Sequence, residues 1–282
     1  QPGDIAIFKQ EYPITWQEAG RASGRPRFSL EKLDTHTIEK GEVGTLRQEE
    51  KWARKVKWLR DPGDLLTVFR HPVHGHRYVI GIDTAEGILD EHGKESDNSV
   101  MVALDLDRGG EQVATYCGKV APEVLVDPAL LLAGYYNDAY IVPESNSTGS
   151  VLCVGIGQRY PNEKIFHRDD WDESKTRHSR QIGWRTHTGT RNHLISELAE
   201  AILDNSILLH DERTVLECKR FVWKQGGRAE ADAGFHDDHV LALALAVMGI
   251  KHYPRAQDAM ERQRAVRAAQ EARKSANRIT GY

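Results

Sequence analysis

The chain has 282 residues, 28% of them charged, and a formal net charge of −4. That length holds one large domain or two modest ones around a substantial core, and the mild negative charge excludes a protein that coats nucleic acid with its whole surface. Cys117, Cys153 and Cys218 form no CxxC pair and read as thiols of a reducing cytoplasm, and no apolar run reaches the length of a membrane span.

In chain order, residues 1–60 are polar and weakly patterned and read as a linker or arm. Within them EEKWARKVKWLR carries Trp52, Val56, Trp58 and Leu59, enough to anchor a short helix or an extended arm on a larger body. The first residue is not Met, which points to a fragment or a processed product. DPGD at 61–64 is a turn signal, and LLTVFR after it is a strand candidate. HPVHGH breaks the chain before YVIGID, residues 78–83, the clearest strand pattern in the sequence. SVMVALDLD (99–107) and EQVATYCGKV (111–120) follow, joined by RGG, so three consecutive antiparallel strands are expected.

Past Ala121 the pattern changes. PEVLVDPALLLAGYYND is expected to be helical despite Pro128, YIVPES a strand, STGSVLCVGIGQRY a helix and KIFH a short strand. A basic, irregular segment runs from Arg168 to Arg191. RNHLISELAEAILDN has helical periodicity, SILLHD reads as a short strand, and RTVLECKRFVW as a helix stopped by Gly226 and Gly227. An apolar helix from Asp238 to about Lys251 closes the series, with Leu241, Leu245 and Met248 at helical spacing. Three antiparallel strands, then alternating helices and strands, give an α/β fold over 61–253: a mixed sheet flanked by helices, in the ribonuclease H-like order. Residues 254–282 are expected to form a basic helical tail with too few large apolar residues for a core of its own.

Three acidic positions border apolar runs: Asp83 directly after YVIGI, Glu144 directly after YIVP, and Asp237–Asp238 directly before HVLALALA. A carboxylate at the end of a buried strand is costly without a partner, and a metal ion supplies one. Each acid has a plainer reading as well. Asp83 could cap the turn through TAEG, Glu144 could be an ordinary acid before a helix, and one of the adjacent pair could serve the helix dipole. Together they form a cage of hard oxygen ligands, which suits Mg²⁺ or Mn²⁺ better than zinc. Asp238 or Asp237 would supply the third ligand, and Asp97, before the second strand, an auxiliary one. Two such ions would activate water and stabilise the leaving oxygen in phosphodiester hydrolysis without any nucleophilic side chain. Lys175, Arg177, His178, Arg180, Arg185 and Arg191 of the basic segment, with Lys224 and Arg228, are the candidate contacts to double-stranded DNA, against the plainer reading of a solvated loop. No GxxxxGK[ST] loop occurs, so the chain is no ATP-driven motor by itself.

YVIGIDTAEG…DNSVMVALD, YIVPESNSTG, IGWRTHTGTRNHLISELAEAILDN and GFHDDHVLALALAV, in that order over 62–252, resemble the nuclease domain of the large terminase subunit of tailed bacteriophages. EYPITWQEAG resembles the stretch that follows the ATPase domain in such proteins. The resemblance implies a ribonuclease H-like endonuclease that cuts concatemeric viral DNA during genome packaging, with metal ligands at Asp83, Glu144 and the paired acids. It also implies partners: a packaging ATPase domain outside this chain, the portal and the small terminase subunit, met in the host bacterial cytoplasm and at the procapsid, with no membrane involved. The rival expectations are another ribonuclease H-like enzyme, a Holliday-junction resolvase or transposase, and a non-catalytic DNA or portal docking module.

Overall fold

The computed structural model describes residues 25–49, 55–85, 97–146, 149–172, 177–224 and 227–254. The elements in order are β1 (Arg25–Pro26), α1 (Leu30–Leu33), β2 (Glu42–Gln48), β3 (Val56–Arg60), β4 (Leu66–Val68), β5 (Tyr78–Asp83), β6 (Ser99–Asp105) and β7 (Glu111–Gly118). Then come α2 (Pro122–Tyr135), β8 (Tyr140–Pro143), α3 (Gly149–Arg159), β9 (His167–Asp172), β10 (Arg177–Ile182), α4 (Thr188–Leu203), α5 (Glu212–Lys219), β11 (Phe221–Trp223), β12 (Ala229–Ala231) and α6 (Asp238–Lys251).

Seven strands form the main sheet in the order β3-β2-β4-β7-β6-β5-β8, antiparallel throughout except where β8 runs parallel to β5. The fold is a mixed α/β sheet flanked by helices, as the order of patterns implied. Side chains alternate across the sheet with period two, so each face has its own lining. Tyr78, Ile80, Ile82, Met101 and Ile141 point into a core built with Leu125, Leu132 and Leu152 of α2 and α3. On the opposite face Val79 and Val142 meet Gly249 of α6, and Gly81 lies so close to this helix that a Cβ there would stand 2.1 Å from the Ala242 carbonyl oxygen. α6 is apolar nearly all round because it is buried between the sheet, α4 and α5.

Several expectations change. The arm over 1–60 does not describe Glu42–Gln48 or Val56–Arg60: β2 and β3 extend the main sheet, with Leu46 buried and Val56 and Trp58 packed on the core. The basic segment expected to be irregular contains the β9–β10 hairpin, paired from Arg177–Asp172 to Ile182–His167. KIFH makes a single bridge, Ile165 to Ile141, and its last residue opens β9, while SILLHD supplies a single bridge, Leu208 to Glu111, in place of a short strand. RTVLECKRFVW divides: α5 ends at Lys219, and Phe221–Trp223 becomes a strand between β1 and β12. Trp52 and the tail over 255–282 lie outside the described residues. No described helix is long and apolar enough to cross a membrane.

Candidate metal centre

Strand pairing brings the first two acids together. Asp83 ends β5 opposite Val100 of β6, and Ile82 pairs with Pro143 of the parallel neighbour β8. The Glu144 N–H donates to the Ile82 carbonyl at 2.9 Å, which sets Glu144 beside Asp83. By alternation Asp83 shares a face with Val79 and Gly81, and Glu144 with Val142, so both carboxylates stand on the side covered by α6. That helix starts at Asp238, whose preceding residue Asp237 accepts its first intrahelical bond from the Leu241 N–H at 2.9 Å. The close approach of Gly81 to Ala242 and Ala246 therefore delivers both C-terminal acids to the end of β5.

These groups line one cleft of about 330 Å³ together with Thr84, Asp97, Asn98, Asn146, Thr186, His187, Arg191 and Arg228. Asp83, Glu144 and Asp238 are only 5–7% exposed. Burial is the first cause that pushes the Asp83 carboxyl well up; the charge of Glu144, a hydrogen bond shared with it, and the charges of Asp238 and Asp237 push it further. Asp238 is raised to about 6, first by burial and then by Glu217, Asp97 and Asp237, against the Asn98 N–H that donates to its Oδ2 at 2.9 Å. Carboxylates crowded in a buried cleft cannot all be charged without a cation. The donor set is all oxygen at this core, and it fits a hard divalent ion.

Around the acids sit groups that hold them. Asn146 donates from Nδ2 to Glu144 Oε1 at 2.9 Å, while its Oδ1 accepts the Thr186 N–H at 3.0 Å, tying Glu144 to the chain that enters α4. Arg191, in the first turns of α4, donates to Asp237 Oδ2 at 2.6 Å. Asp97 lies 3.1 Å from His236 Nδ1, and Asp97, His236 and Asp238 offer ligand atoms within 4.8 Å of one another, a second set able to hold a metal. His239 turns away from the cleft, towards Glu217 at 2.6 Å. Burial opposes its charge, but Cys117 and Glu217 outweigh it and carry its pKa up to about 10.

Of the candidate DNA contacts, Arg191 and Arg228 line the cleft. Arg185 is exposed just before α4, Arg180 lies 3.9 Å from Asp169, and Lys224 lies 3.5 Å from Asp232, none of them among the cleft's lining residues. Lys175 lies outside the described residues, as do the side chains of Arg177 and His178. The sequence reading missed the roles of Asn98, Asn146 and Glu217. Asn146 carried a signal in its place two residues after Glu144, whereas Glu217 stands on another helix and carried none.

No protein-family profile matches the sequence, and no curated protein matches it. Solved structures do. The large terminase nuclease of thermophilic phage G20c with bound cobalt superposes at a TM-score of 0.55 and 20% identity, over 80% of this chain and 98% of that one. The fold is that of a phage large-terminase nuclease domain. The same phage nuclease with bound magnesium matches at a TM-score of 0.54 and 20% identity over the same shares. The large terminase nuclease domain of Thermus phage P74-26 matches at 0.53 and 21%, over 80% of this chain and 95% of that one. The terminase-nuclease fold thus spans most of this chain and nearly the whole of each counterpart. In this chain Asp83 and Glu144 stand at the ends of β5 and the edge strand β8, and Asp237 and Asp238 at the start of α6.

Proposed function

We propose that this chain is a metal-dependent DNA endonuclease, the nuclease portion of a phage terminase that cuts concatemeric viral DNA during packaging. The observation that carries the reading is the meeting of Asp83, Glu144, Asp237 and Asp238, from two strand ends and a helix start, in one cleft edged by Arg191 and Arg228. Asp83, Glu144 and Asp238, with Asp237 beside them, would hold Mg²⁺ or Mn²⁺, and Asp97 with His236 would complete a second position. The terminase nucleases that share the fold were solved with cobalt and with magnesium, which supports a divalent ion here. When bound, such ions supply Lewis acidity, making water a stronger nucleophile and offsetting charge on the phosphate and leaving oxygen.

The protein's own groups do the rest. Asp83 and Glu144 present fixed carboxylates on the sheet end. Asn146 keeps Glu144 turned into the cleft. Arg228, at the rim, meets the approaching DNA backbone, and Arg191 offsets charge at Asp237. Such contacts grip phosphate and read no sequence, so weak sequence preference is expected. In this reading the chain works in the bacterial cytoplasm, beside a packaging ATPase, the portal and the small terminase subunit.

The test is cleavage of supercoiled plasmid with EDTA, Mg²⁺ or Mn²⁺, beside Asp83→Asn. Nicking and linearisation that need the metal and disappear in the variant are the expected result. Folded protein that binds neither metal and cuts with neither would overturn the reading.

A further inference from the structure

Asp237 occupies the cap position of α6, where an aspartate ordinarily turns back to accept the free N–H groups of the first helical turn. Here its carboxylate is engaged by Arg191 at 2.6 Å, on the cleft side. The capping is done from another helix. Glu217 of α5 accepts the His239 backbone N–H on Oε2 at 2.8 Å and meets the His239 ring at Nδ1 with Oε1 at 2.6 Å. His239 directly follows Asp238 and is 3% exposed; the Glu217 side chain is 14% exposed and is not part of the cleft lining. One carboxylate thus grips both the backbone and the side chain of the residue next to a proposed ligand.

From this geometry we infer that Glu217 is a positioning residue for the metal centre: it takes over the cap of α6, leaves Asp237 free to face the cleft, and fixes the direction from which Asp238 reaches the ion. The inference rests on the metal-dependent reading of the cleft. Glu217 lies outside the cleft lining, so its effect passes through the placement of Asp238. The Asn98 N–H holds the same carboxylate from the other side at 2.9 Å. With one clamp on the backbone and another on Oδ2, the carboxylate keeps a single orientation before any ion arrives. Partners of this kind change metal affinity by roughly 10–100-fold when removed.

The experiment is calorimetric titration of Mn²⁺ into this chain and its Glu217→Ala and Glu217→Gln variants, at a temperature where circular dichroism shows all three folded, with plasmid cleavage alongside. Glu217→Ala is expected to weaken Mn²⁺ binding by about 10-fold or more and to raise the Mn²⁺ needed for half-maximal cutting, with KM for DNA unchanged. Glu217→Gln, whose amide oxygen still accepts the His239 N–H, should return to within about 3-fold of wild type. A purely structural role predicts a lower melting temperature with Mn²⁺ affinity unaltered in the folded protein, and that result overturns the inference. Should Glu217→Ala fail to fold, Glu217→Asp carries the test. It is one methylene too short to reach the N–H and the ring together, and wild-type Mn²⁺ affinity in that variant has the same overturning force. Wild-type protein that binds no Mn²⁺ would remove the metal-dependent reading itself, an outcome distinct from a silent Glu217 substitution.

Discussion

Replacing Asp238 by Asn should stabilise the metal-free protein at neutral pH and leave it little changed in acid. The carboxyl stands near 6 in the folded chain against 3.8 for the ordinary group, a rise of about 2 units, and each unit is worth about 1.36 kcal/mol. The unfolded chain releases this proton first as pH rises, so folding loses about 3 kcal/mol between roughly pH 4 and pH 6 and no more above that. Below pH 4 the acid is protonated in both states and contributes nothing to the difference. Because Asp238 is 5% exposed, solvent does little to screen the penalty. Asn cannot ionise, yet its amide oxygen can still accept the Asn98 N–H, so most of the gain should survive: about 1–3 kcal/mol at pH 7, or roughly 3–9 °C in Tm. Urea unfolding in EDTA, followed by the fluorescence of the six tryptophans, measures this across pH 4–7.5. A stability difference between variant and wild type that stays flat over that range, or an Asn variant that is weaker at pH 7, would refute the argument. Saturating Mn²⁺ should reverse the order, since it stabilises only the chain that binds it.

Three further outcomes follow from the same geometry. Asp83→Asn should abolish plasmid cutting while keeping or raising Tm in EDTA, because it relieves a buried carboxyl of three acidic neighbours; a large fall in Tm would mark the acid as structural. Gly81→Ala should cost about 1–3 kcal/mol or more by differential scanning calorimetry and weaken Mn²⁺ binding, since its Cβ would push α6 away from β5; wild-type stability would show that the helix can shift without cost. Arg228→Ala should weaken DNA binding and reduce the salt slope by about 1, while Arg180→Ala, whose guanidinium lies outside the cleft, should change neither; equal effects in fluorescence anisotropy titrations would dissolve the distinction.

The acids were legible because each borders an apolar run, Asp83 and Glu144 at its end and Asp237–Asp238 at its start, where a buried charge asks for a partner. The three successive strand patterns, with the turn-prone RGG between the second and third, made the order of β5 to β7 legible too. The features that escaped depend on partners distant in sequence. Phe221–Trp223 reads as the continuation of a helix until Arg25–Pro26 and Ala229–Ala231 are seen to flank it. Val56–Arg60 looks like an arm because its charges face outward on an edge strand, and only its pairing with Gly44–Gln48 reveals the sheet. Periodicity reports which side of an element is buried; it does not report what lies against it. The same limit hid Glu217, a charged residue on the strongly amphipathic helix α5, where an acid ordinarily faces solvent.

Where Gly81 meets Ala242 and Ala246, main chain rests on main chain, and no side chain acts as a spacer between helix and strand. The gap between the acids on β5 and those on α6 is therefore set by the thickness of the polypeptide backbone, a dimension that substitution can enlarge but not reduce. A lineage carrying this chain can drift widely in its core and still inherit the same bite at the cleft, provided position 81 stays bare. For anyone redesigning the site, the side chain at position 97 is then open to change, and the distance across the cleft is not.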